Sequence, residues 1–237
     1  MQELVVTECI ELFRFWDLIP AATGAILGAA AAAIPSYMIS NKASKEILER
    51  DKAARLDDRK MSAHSAMMRL FSITNGLISL EAYLSTCMQK VPNGVDEPDL
   101  WRFIPPQTGF VEEELLFSPN ELAIFIEGQN AHFSNELWEI SHRYIALEGS
   151  FKKYCELREK FGALVPANGE GEFLTSELNK TELSKMRPLM ASMDSLIKSI
   201  VATVGPDCQQ AKSLCKVFKD RTVNSLKIEK FPSLKFD

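Results

Sequence analysis

The sequence predicts an all-α protein, with one N-terminal transmembrane helix followed by a cytoplasmic antiparallel bundle of long helices. Three observations point there. A run of 24 residues near the N-terminus carries no charge. Most of the remaining chain places apolar residues three and four apart, the period of a helix buried along one face. No segment alternates apolar and polar residues over enough length to build a sheet.

The uncharged run covers 18–41, between Asp17 and Lys42. About 20 apolar residues are enough to cross the hydrocarbon core as a helix. Its hydrophobicity is moderate, because Ala25 and residues 29–33 are alanine, which gains little on transfer to lipid; a fully buried soluble helix is the competing reading. Phe13, Phe15 and Trp16 on one side and Tyr37 on the other supply the amphipathic rings that favour membrane interfaces. Residues 1–17 hold Glu3, Glu8, Glu11 and Asp17 against the single base Arg14, the wrong balance for a signal peptide. Residues 42–60 hold seven Lys/Arg, which sets the C-terminal side in the cytoplasm and the chain in the inner (cell) membrane. Within 1–17, Val5, Val6, Cys9, Leu12, Phe13 and Trp16 share one helical face, suited to lying in the interface plane. Inside the span, Gly24, Gly28 and Ala32 make a stripe of small residues. In lipid, close backbone approach drives helix association, so these three are the expected self-association residues.

Residues 42–90 read as a charged stalk leading into a first bundle helix, which buries Ala63, Met67, Leu70, Thr74, Leu77, Ile78 and Leu84. Residues 91–117 contain Pro92, Pro98, Pro105 and Pro106, and form a linker that packs through Leu100, Trp101, Phe103 and Ile104. The bundle domain proper is 118–229. Ser118, Pro119 and Glu121 form a capping box with proline at the first helical position, and Phe117 with Leu122 is placed as a hydrophobic staple. From there one helix is expected to run to Phe161, burying Leu122, Ile126, Phe133, Leu137, Ile140, Tyr144, Leu147 and Phe151. A second stripe, Ile124, Ala131, Trp138 and Ile145, repeats every seven residues on a roughly opposite face. It is either core or a face for a partner. After a loop at 168–172, a third helix carries Met186, Leu189, Met190, Met193, Leu196, Ile197, Ile200, Val201 and Val204, and is expected to end at Gly205-Pro206. Asp207 and Gln210 then box a last helix burying Ala211, Leu214, Cys215, Phe218 and Leu226, followed by a loose tail at 230–237.

Composition narrows the function classes. With 46% hydrophobic and 25% charged residues, the chain is globular. A net charge of −5 gives no electrostatic footprint for nucleic acid. The five cysteines form no C-x-x-C pair and read as free thiols. Cys208 and Cys215 lie seven apart on one helix, about 10 Å along its axis, too far to bridge. His132, Glu136, Glu139 and His142 contain one E-x-x-H, but a carboxylate di-iron bundle needs it twice, and His64 is the only histidine left. GEGE at 169–172 lacks the strand and lysine of a phosphate loop. Lys212, Lys216 and Lys219 read as a solvated face, and Met186, Met190 and Met193 as core. No catalytic, metal or cofactor site is expected. The expected partners are the lipid bilayer, further copies of the chain and an unidentified protein. The expectation is therefore a signalling or scaffold protein acting through protein–protein interaction and self-association. The alternative is a membrane-acting effector of a bacterial immune or toxin system, whose oligomerised span disrupts the inner membrane.

Overall fold

Four α-helices and one short 3-10 helix account for the regular structure of the described residues, and no strand occurs among them. The computed structural model describes the backbone of 3–92, 99–107, 115–164 and 180–233, and the side chains of 31, 36–92, 99–107, 115–164 and 183–233. The helices are α1 (Glu3–Met88), α2 (Pro119–Glu127), α3 (Ala131–Leu164) and α4 (Lys180–Leu226). By its contacts the chain divides into two units, 1–57 and 58–237.

The first unit is helix from Glu3 onward, and its described side chains are exposed except for the half-buried Leu56. Residues 42–55, which carry mixed charges, are exposed throughout. The side chains of 18–30 and 32–35, which carry most of the expected span together with Gly24, Gly28 and Ala32, lie outside the described residues, as do those of 1–17. Among the described residues no helix is long and apolar enough to cross a membrane.

In the second unit, cross-helix contacts fix the topology. On α1 and α3, Gly76 faces Tyr144 and Tyr83 meets Phe151, with ring centroids 6.1 Å apart, so these helices run parallel. Helix α4 is antiparallel to both. Thr74 Oγ1 lies 3.2 Å from Cys215 Sγ and Glu81 pairs with Lys212, while Phe133 packs on Phe218 and Arg143 pairs with Asp207. Successive helices therefore alternate in direction, as in the expected antiparallel bundle: α1 and α3 share a direction because the chain returns between them. The 3-10 helix Leu100–Arg102 begins the return, beside the end of α3. Tyr154 Oη donates to the carbonyls of Trp101 and Ile104, Tyr83 Oη donates to Pro105 O at 2.6 Å, and Leu100 N donates to Asp194 Oδ1 at 3.0 Å. Leu100, Trp101 and Ile104 are buried as expected. Helix α2 completes the return, descending along α1 with Arg69 on Glu121 and Arg59 on Glu127.

The capping box at α2 is present: Glu121 N donates to Ser118 Oγ, and Ser118 N donates to Glu121 Oε2 at 2.6 Å. The single helix expected from Ser118 to Phe161 is interrupted, and this expectation is corrected. Gly128 N donates to Ile124 O, Gln129 takes φ 60°, and Asn130 N donates to Phe125 O, closing α2 with a left-handed cap. The turn resets the helical phase, so Ile124 and Phe125 are buried while Ile126, expected in the core, is 56% exposed. A second correction concerns Gly205-Pro206, which does not end a helix. Helix α4 contains both Pro188 and Pro206, and Asp207 and Gln210 lie in its middle. A proline inside a helix costs about 3 kcal/mol. Ile197, Ile200, Val204, Cys208, Ala211, Cys215 and Phe218 continue one buried stripe through it. At roughly 1.5–3 kcal/mol for each large side chain, that burial outweighs the proline. Last, Phe231 in the expected loose tail is buried, stacked on His64 at 4.6 Å and next to Phe218.

Candidate interaction surface

Helix α3 buries Phe133, Leu137, Ile140, Leu147, Phe151 and Tyr154 on one side. Its other side is open. Ala131, Trp138 and Ile145 are exposed there, Trp138 to 53%, and the Trp138 indole packs on the His142 ring with centroids 4.1 Å apart. Ile124 is separated from these three by the turn at Gly128 and is 2% exposed in the core. Of the stripe read from the sequence, three residues share a surface and the fourth does not. Gly24, Gly28 and Ala32 lie on the helical backbone of α1, with side chains outside the described residues.

The polar groups expected on α3 are placed differently from a metal site. His132 Nδ1 lies 3.2 Å from Glu136 Oε2, an exposed histidine against a half-buried glutamate one turn on. Among the described residues no three His, Cys, Asp or Glu side chains are grouped to hold a metal ion. Cys87, Cys155, Cys208 and Cys215 are buried free thiols. Burial pushes Cys215 up to about 11, against a lowering hydrogen bond from Thr74, and likewise raises Cys155 and Cys208. A thiol held protonated is a poor nucleophile.

One polar cluster has no counterpart in the sequence reading. Where Pro206 passes α3, the Arg143 guanidinium pairs with Asp207 Oδ1 at 3.3 Å and donates to Gln210 Oε1, beside an open groove of about 380 Å³ between Ala146, Ser150, Thr203 and Pro206. Burial raises the Asp207 carboxyl above the usual range, with Arg143 opposing and Glu139 adding to the rise. Asp207 and Gln210 carry the spacing of a helix-start box, and that local signal obscured their part in a cross-helix pair. Glu121 shows the opposite balance. Burial raises it, but hydrogen bonds from Ser65, the Ser118 backbone and Arg69 together hold it below the ordinary glutamate value. No family model matches the chain, and neither does any curated protein or solved structure.

Proposed function

We propose that the chain is a membrane-anchored helical protein that acts through protein–protein interaction and self-association, with the bulk of it on the cytoplasmic side. The observation that carries this reading is the uncharged run 18–41, which includes three consecutive exposed apolar side chains, Tyr37, Met38 and Ile39, at 73, 66 and 69%. Consecutive apolar side chains left bare along a helix suit a lipid interface better than water. The basic residues that follow support an anchor in the first unit, and the open Trp138 face of α3 supports a docking surface in the second.

The test is partition. After detergent-free lysis the full chain is expected in the membrane fraction, released by detergent and not by high salt, while a fragment beginning at Asn41 is soluble and helical by circular dichroism. Full-length protein in the soluble fraction overturns the anchor. Collapse of membrane potential on induction, abolished by Gly28→Ile, would move the reading to the effector alternative.

A further inference from the structure

We propose that α3 pairs with α3 of a second copy, antiparallel about a two-fold axis, with Trp138 of each copy seated over Gly149 of the other. The inference starts from the glycines. Gly76 and Gly128 give their space to Tyr144 and Ser225, but a Cβ at Gly149 would meet nothing within 4 Å. A glycine inside a helix destabilises it relative to alanine, and among the described residues none fills the space at 149. Gly162 is equally open but lies on a different face of α3, and only Gly149 shares a face with Trp138. Ala131, Asn135, Trp138, His142, Ile145 and Gly149 follow one another at alternating steps of four and three, and all are exposed. That spacing is the seam of a coiled coil, in which each projecting side chain enters a gap on the facing helix.

The order of sizes along the seam selects the occupant. Turned end for end about a point between Arg143 and Tyr144, the seam sets Trp138 opposite Gly149, His142 opposite Ile145 and Asn135 opposite Lys152. The largest side chain meets the absent one, twice, as an isologous two-fold contact requires. A parallel copy would stack Trp138 on Trp138 and leave a void between two copies of Gly149. The His142 ring against the indole already restrains Trp138, so less freedom is lost when it docks. The pairing is independent of the span and goes beyond the membrane reading.

The experiment uses the full chain in mild detergent, carrying Gly28→Ile so that any contact through the span is weakened. One population carries Asn135→Cys and another Lys152→Cys, and the two are mixed and oxidised. A cross-linked dimer is expected in the mixture and in neither population alone, above the background of the Gly28→Ile chain without added cysteine. Adding Gly149→Leu to both should leave the circular dichroism unchanged, because that side of α3 is open, and should weaken self-association about tenfold or more, the loss of a central anchor. No cross-link in the mixture overturns the proposal. So does self-linking of either population, which marks a parallel pair, or a cross-link that survives Gly149→Leu undiminished. Because membrane partition is read separately, failure of the anchor and failure of the α3 pair give different results.

Discussion

A Cβ on residue 128 would fall 2.5 Å from Ser225 Cα, and backbone, unlike the end of a side chain, does not swing aside. Gly128→Ala is therefore expected to lower stability by about 2 kcal/mol or more, read as a lower urea midpoint in detergent; an unchanged midpoint would show that α2 and α4 part freely there. Asp207 supplies a second test at this scale. Its carboxyl is raised by burial, so the folded state holds the proton more tightly than the unfolded chain. That contribution is complete below the ordinary aspartate pKa and is lost as pH rises through the higher folded value. Asp207→Asn removes this slope, at the separate and pH-independent cost of leaving Arg143 short of a partner. Measured from pH 3 upward, the variant's stability relative to wild type should improve through that window and then level off. Parallel curves would refute the assignment. Neither residue announces this in the sequence: Gly128 sits in an otherwise periodic apolar run, and Asp207 follows a Gly-Pro pair as a capping residue would.

At the scale of elements, local signals were legible where local chemistry decides the outcome. Ser118, Pro119 and Glu121 specify the start of α2 by hydrogen bonds within four residues, and the structure forms them. The end of α2 was not legible, because Gln129 takes the left-handed position where glycine would have marked it. The α4 prolines mislead in the other direction. Pro206 has no N–H for the Ala202 carbonyl, yet the buried stripe on both sides keeps the helix whole. Propensity lost to packing, and only the three-dimensional partner set records the winner. Pro206→Ala should then restore a helical hydrogen bond and stabilise the fold by roughly 1–3 kcal/mol. The measurement is the urea midpoint; a fall would mean that the groove beside Arg143 depends on the ring itself.

For the whole molecule, the sequence showed that the linker between α1 and α2 is too long for a simple turn, but not which way it leads. Its route emerges only from contacts far apart in the chain, Tyr154 on Trp101 and Arg69 on Glu121, and those contacts make α1 and α3 parallel. The orientation across a membrane rests on the opposite kind of information, since charge near a span acts without any tertiary partner. Under the anchor proposed above, the seven Lys/Arg in 42–60 against the single Arg14 before the run are expected to retain the following chain on the cytoplasmic side. Alkaline phosphatase fused after Asp237 should therefore be inactive, because its disulfides form only in the oxidising periplasm. Changing the seven basic residues to glutamine removes the bias while leaving the uncharged run intact, and part of the fusion should then become active. Phosphatase activity from the unaltered chain would reverse the orientation, whereas inactivity of both proteins would show that features other than those seven charges hold the chain inside.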